Sequence, residues 1–382
     1  MRIGITCYPT YGGSGVVAAE LGMELAARGH QVHFISYARP IRLDVSASPI
    51  IAGNTKYHEV EVTTYPLFEY PPYTLALATR MAEVAVSEGL DLLHVHYAIP
   101  HSVSAYLARA MLGTGGGPRR LPFVTTLHGT DITLVGSDHS YLPITRFAIE
   151  QSDGVTAISN NLRETTCREF EIERDVAVIY NFVNCDIYRP ERDENARAVF
   201  APEGQPLLVH LSNFRAVKRV TDVVEIFAQV RRQVPSRLLM IGDGPEHGNA
   251  EYVARKHGVE RDVLFLGKTD NVYRLLPLCD LLLLPSQAES FGLAALEAMA
   301  CGAVPIATRV GGVPEVITDG VDGYLARVGD VETMAGHALR LLRDAELRRR
   351  MAAAARRTAE TRFCSTLIIP QYEAYYRKVL EG

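Results

Sequence analysis

Two glutamates eight residues apart bracket the stretch Glu289-Ser-Phe-Gly-Leu-Ala-Ala-Leu-Glu297. Glu289 falls in a loop and Glu297 about two turns into a helix whose other residues, Leu293, Ala294, Leu296, Ala298 and Met299, are apolar. A charge in such a helix is costly unless it is hydrogen-bonded. A sugar diol suits it, since adjacent hydroxyls donate to both oxygens of one carboxylate; a neighbouring Arg inside the protein is the plainer partner. Upstream, Ser212-Asn-Phe-Arg-Ala-Val-Lys-Arg219 follows a strand and carries Arg215, Lys218 and Arg219. Cations at a helix start oppose the helix dipole, so their placement suits an anion such as a diphosphate. Tyr11-Gly-Gly-Ser-Gly15 joins the first strand to the first helix and reads either as an anion-facing loop or as a tight turn. Gly242-Asp-Gly-Pro245 is a second strand-to-helix turn. His128-Gly129 ends a strand, where ligands bind in parallel sheets. His94 and His96 alternate on a strand with His101 beyond, but no Asp, Glu or Cys nearby completes a metal set.

The elements that must hold these residues alternate between short apolar runs and amphipathic stretches. Ile3–Cys7, Gln31–Ser36, Leu92–His96, Phe123–Leu127 and Gly154–Ile158 read as strands, as do Leu207–Leu211, Arg237–Ile241, Val263–Leu266, Leu281–Leu284 and Val304–Ala307. Helical patterns lie between them, for example Gly15–Arg28, Tyr73–Ser87 and Pro100–Leu112. Near-continuous apolar strands are buried on both faces. The expected fold class is α/β, with two doubly wound, mainly parallel domains. The break between them is expected in the charged, proline-containing segment Asp186–Gln205. That gives residues 1–185 as a first domain, joined by a returning helix at 365–382, and residues 186–364 as a second. Leu112–Pro118 is glycine-rich and is expected as a surface connection.

The chain has 382 residues, 47% hydrophobic and 22% charged, with a net charge of −5. That balance is ordinary for a globular enzyme of two domains and gives no support for nucleic acid or a membrane surface as partner. No apolar run approaches the ~18 residues of a membrane helix. The N-terminus enters a strand without secretory signal features, and the six cysteines are scattered without a C-x-x-C pair. A cytoplasmic location is expected.

Together the paired glycines Gly12 and Gly13, His128-Gly129, Lys218, Gly242-Asp-Gly-Pro245 and the Glu289-x7-Glu297 motif resemble the retaining glycosyltransferases of family four, which have the GT-B fold of two Rossmann-like domains facing a cleft. The resemblance covers nearly the whole chain. It implies a nucleotide-sugar bound mostly by the second domain, with Glu297 on the ribose hydroxyls and Glu289 on the donor sugar. Phe291, Gly292 and Leu293 would join the donor-binding set, with backbone N–H groups near the sugar and diphosphate, and Lys218 would neutralise the leaving diphosphate. His128, Lys218 and Glu289 are thereby the implied catalytic residues. Where the family carries Arg five residues before the Lys, this chain has Asn213, with Arg215 nearby to supply the charge. No obligatory metal or cofactor is expected, since no Asp-x-Asp ends a strand.

A narrower resemblance within that family runs through Ile3–Gly15, Phe68-Glu-Tyr-Pro-Pro-Tyr73, His94-Val-His-Tyr-Ala-Ile-Pro-His101, Thr126–Asp131 and Ser212–Arg215. It implies transfer of N-acetylglucosamine from UDP-N-acetylglucosamine to L-malate at the start of bacillithiol biosynthesis. A small dicarboxylate needs a cation and donors in the first domain, and Arg146, Thr130, Ser14 and Tyr97 form the candidate set. Alternatives left open are a family member with another acceptor, an enzyme like the UDP-N-acetylglucosamine 2-epimerases, and a sugar-nucleotide sensor. A homodimer is also left open.

Overall fold

The computed structural model describes residues 1–10, 12–44, 46, 48–62, 70–114, 121–133 and 138–382. Tyr11, Phe68 and Glu69 of the quoted motifs, and residues 115–118 of the glycine-rich connection, lie outside the described residues. The chain divides into two compact units, Met1–Tyr180 with Ile368–Gly382, and Asn181–Leu367. The segment Asp186–Gln205, expected as the break, lies within the second unit. It is anchored there: Tyr188 is buried, and the helix Glu194–Phe200 is capped by the Asp193 carboxylate.

Among the described residues the first unit holds seven strands: β1 Arg2–Thr6, β2 Gln31–Ser36, β3 Thr55–Glu59, β4 Leu92–His96, β5 Phe123–Leu127, β6 Gly154–Ala157 and β7 Ala177–Val178. The second holds six: β8 Leu207–Leu211, β9 Arg237–Ile241, β10 Val263–Gly267, β11 Leu281–Leu284, β12 Val304–Thr308 and β13 Tyr324–Ala326. The sheet orders are β3-β2-β1-β4-β5-β6-β7 and β10-β9-β8-β11-β12-β13, with parallel pairing throughout. Both are doubly wound orders that reverse direction beside the first strand of the unit, which places loops for ligands at the carboxyl ends of β1, β4, β8 and β11.

The apolar runs explain the second sheet. Leu281 and Leu283 join Leu208, Met240, Val304 and Ile306 in a core with the helices Val220–Arg231, His247–His257 and Val331–Arg343. The alternate residues Val209, Leu239, Leu282 and Leu284 are equally buried, so the opposite face is covered too. In the first unit the helix Ser365–Glu381 completes the core from the far end of the chain. Tyr376 OH and His94 Nδ1 share a hydrogen bond at 2.7 Å, and Tyr375 brackets the Val155 backbone, donating to its carbonyl and accepting from its amide. Among the described residues no helix is long and apolar enough to cross a membrane.

Candidate functional site

In the second unit, the loop after β8 is forced into shape by the turn after β9. Gly242 has φ +118°, and a Cβ there would sit 1.8 Å from the Ser212 carbonyl, so only glycine permits the contact. Glu246 donates its backbone N–H to the Phe214 carbonyl at 2.9 Å, and the Phe214 ring is fully buried. The loop then closes in the 3₁₀ turn Ala216–Lys218 and enters the helix Val220–Arg231, whose first-turn Asp222 pairs with Arg219 at 2.7 Å. That carboxylate offsets the unfavourable cations at the helix start.

The loop carrying Glu289 packs against this turn. Gln287 N–H donates to the Val217 carbonyl at 2.8 Å, and Gly312 N–H to the Glu289 carbonyl at 3.1 Å. Gly311, at φ +51°, lies so close that a Cβ would meet Glu289 O at 1.8 Å. The result is a direct ion pair: Lys218 Nζ lies 2.6 Å from Glu289 Oε1, with side-chain exposures of 20% and 12%. Ser286 Oγ donates to the same oxygen at 2.8 Å. The two groups assigned to a diphosphate and to a sugar are therefore neutralising each other. Among the described residues no partner falls on Glu289 Oε2, which remains to accept from a hydroxyl. The Arg215 guanidinium is exposed and has no partner among the described residues; Asn213 Oδ1 is buried and likewise unpaired. Both lie on the same loop as Lys218.

Gly292 is left-handed at φ +94° and caps the helix Leu293–Ala300, whose first amides have no intrahelical acceptor. Glu297 is 3% exposed and accepts from Tyr188 OH at 3.1 Å. One partner inside the protein is thus a tyrosine 109 residues away in sequence. Phe291, expected in the donor-binding set, is a core residue. Its ring is 2% exposed and stands edge-on to Phe363 at 5.6 Å, where it fixes the loop.

In the first unit, three of the expected residues meet. Ser14 Oγ donates to Tyr97 OH at 2.9 Å, and the Tyr97 ring lies 5.4 Å from that of His128. Tyr97 has φ +90°, a conformation rare for a bulky residue, held by Ser102 Oγ on its carbonyl and Thr126 O on its amide. His128 Nε2 shares a hydrogen bond with His96 Nδ1 at 2.8 Å, and burial pushes its pKa down to about 3, so the imidazole is neutral at ordinary pH. Gly12 and Gly13 open the helix Gly13–Ala27, yet Gly12 faces open space; the position with no room is Gly15, where a Cβ would lie 2.5 Å from Tyr8 O. Thr130 begins the short helix Thr130–Thr133. Arg146 turns to Glu171 at 3.0 Å, half exposed, and no contact joins it to Ser14, Tyr97 or His128.

His94 bonds Thr126 Oγ1 and Tyr376, and His101 bonds the His96 carbonyl, so these histidines belong to a buried polar network. Thr6 Oγ1, Tyr73 OH, His96 Nε2 and His101 Nε2 are buried without a partner among the described residues. Such atoms call for water or a polar ligand. Reasoning from sequence missed Asp131 as the organiser of this end of the sheet. It is buried and accepts from the amides of Ala98, His128 and Gly129. Burial pushes its carboxyl up to about 6, and the three amides offset this only in part. Its place three residues after His128 was the available signal.

Residues 11–187 match the family described as Glycosyltransferase Family 4, and residues 191–358 that described as Glycosyl transferases group 1. The N-acetyl-alpha-D-glucosaminyl L-malate synthase of Bacillus anthracis is 49% identical over 100% of this chain and 97% of its own length. The chain is a family-four glycosyltransferase. The transferase shares its fold with Alr3699/HepE of Anabaena, solved with UDP and glucose, at a TM-score of 0.79, 20% identity and coverage of 98% and 99% of the two chains. It likewise resembles the sucrose-phosphate synthase of Thermosynechococcus elongatus, at a TM-score of 0.79, 21% identity and coverage of 100% and 99%. These are GT-B proteins, and the two doubly wound units of the transferase are the α/β architecture its sequence pattern implied.

Proposed function

We propose that this transferase moves N-acetylglucosamine from UDP-N-acetylglucosamine to the hydroxyl of L-malate with retention of configuration, the first step of bacillithiol biosynthesis. The observation that carries this reading is the full-length 49% identity with the synthase of that name. The site geometry supports it. Lys218 and Arg215 supply charge for the diphosphate, the amides at Gly292 and Leu293 add partial positive charge, and Glu289 Oε2 and Glu297 accept from hydroxyls of the sugar and ribose. As the anomeric C–O bond to the β-phosphate breaks, negative charge grows on that phosphate, and fixed cations stabilise the change without reorganising. The malate hydroxyl oxygen forms the new bond on the same face, and its proton passes to the departing phosphate oxygen. On the acceptor side, Ser14, Tyr97 and Thr130 orient a small polar molecule beside neutral His128. Arg146 supplies a cation by leaving Glu171, a pair exposed enough to cost little to break. The transferase works in the reducing cytoplasm on this reading, and its six cysteines are free.

A panel of acceptors with UDP-N-acetylglucosamine, read by UDP release, tests the assignment. L-malate should release UDP fastest, with an α-linked product. Faster release with inositol phosphate moves the transferase to another acceptor class, and loss of UDP-N-acetylglucosamine with no acceptor points to epimerase-like chemistry. Glu297→Gln should raise the donor KM about tenfold or more, the worth of a charge-assisted hydrogen bond, with kcat little altered. An unchanged KM removes Glu297 from the donor site. Activity should also survive exhaustive chelation; complete loss, restored by manganese or magnesium, refutes metal-free catalysis.

A further inference from the structure

Among the described residues one group of metal-ligating side chains converges, and it lies at the edge of the first sheet. β2 and β3 pair in parallel with His33 opposite Lys56 and Ile35 opposite His58. Alternation along the strands therefore sends His33, Lys56 and His58 to one face. The helix Tyr73–Glu88 delivers Glu88 to that face, where its Oε2 lies 2.7 Å from Lys56 Nζ. Ligand atoms of His33, His58 and Glu88 all lie within 4.8 Å of one another.

We propose that His33, His58 and Glu88 bind a divalent transition metal ion of the zinc class, with Lys56 as the resident competitor on the carboxylate. The spacing fits such an ion. His33 Nδ1 and His58 Nε2 are 3.0 Å apart in a direct hydrogen bond. Metal–nitrogen bonds of about 2.0–2.1 Å at a tetrahedral centre place two nitrogens about 3.3 Å apart. The ion thus takes the place of the shared proton with a small rotation of the rings, which lie stacked at 5.3 Å and 19°. One of the two facing nitrogens carries the proton of that hydrogen bond; with that proton on the other nitrogen of its ring, both face the ion as acceptors. Two imidazole nitrogens and one carboxylate disfavour calcium or magnesium, which need several oxygens. Lys56 is 55% exposed on its side chain and leaves Glu88 readily. The ion would tie the edge strand and the end of the helix Tyr73–Glu88 to β2, apart from the residues assigned to transfer.

Zinc titration of the chelator-stripped full chain against a chromogenic chelator tests the site, with the visible spectrum of the cobalt form as a second readout. One equivalent should bind, with a tetrahedral cobalt band. His33→Ala, His58→Ala and Glu88→Gln should each weaken binding about tenfold or more. Lys56→Ala removes an exposed side chain without threat to the fold and should tighten binding roughly two- to fivefold, the worth of an exposed ion pair. Binding below one equivalent overturns the site. So does an affinity unaltered in His58→Ala, or an affinity that Lys56→Ala fails to raise.

Discussion

Lys218→Ala should lower kcat about 10²–10³-fold, the loss that follows removal of one preorganised group from a developing anion. The donor KM should change much less, because the charge on the β-phosphate is largest in the transition state. The substitution also leaves Glu289 without its cation in a site 12% exposed, which adds repulsion toward the incoming diphosphate. Glu289→Gln in the same chain relieves that repulsion. If Lys218 and Glu289 act as a unit, the double variant should be no slower than Lys218→Ala alone, a strongly non-additive result. Steady-state kinetics of Lys218→Ala, Glu289→Gln and the double variant, with thermal melts to show that they fold, make the measurement. Turnover of Lys218→Ala equal to that of the unaltered chain sinks the role given to this lysine.

The first unit should unfold in mild acid. His94, His96, His101 and His128 are buried there. Burial pushes His94 and His128 down to about 3, His101 down to about 4, and His96 well below its ordinary value. Unfolded, each takes a proton near pH ~6.5. The unfolded chain therefore binds more protons than the folded one below that pH. Stability is present in full above pH ~6.5 and is lost as pH falls toward the folded values. One such group removes up to about 1.4 kcal/mol per pH unit, and several in contact remove a sizeable share of a domain stability of roughly 5–15 kcal/mol. Asp131, raised to about 6, works with the opposite sign and regains about 1.4 kcal/mol per unit between pH ~6 and ~4, so the histidines win. Urea unfolding followed by circular dichroism at pH 7, 6 and 5 should show the midpoint of the first unit collapsing. A flat midpoint across that range removes the buried imidazoles from the stability balance.

The strands legible in the sequence are those buried on both faces, such as Leu281–Leu284, where burial demands an unbroken apolar run. β3, Thr-Lys-Tyr-His-Glu, carries no apolar run because it is an edge strand with no fully buried residue. β7 and β13 are silent in the sequence because two and three residues carry no period. Within the site, the Glu289 and Glu297 pair was visible because a local helix sets their spacing. Tyr188 was hidden in a charged, proline-containing stretch, and its meeting with Glu297 is made by the fold. The Lys218–Glu289 pair likewise joins loops 71 residues apart, so no window of sequence could bring them together.

The helix that begins at Ser365 carries a consequence for synthesis on the ribosome. Tyr372 and Tyr376 are wholly buried in the first unit, and Glu373 holds His30 at 2.9 Å. Those residues leave the ribosome only after the whole of Asn181–Leu367. The first unit therefore waits with an open core while its neighbour folds, reversing the usual amino-to-carboxyl order of domain completion. A released chain truncated before Ile368 would carry the whole of the second unit and an incomplete first one.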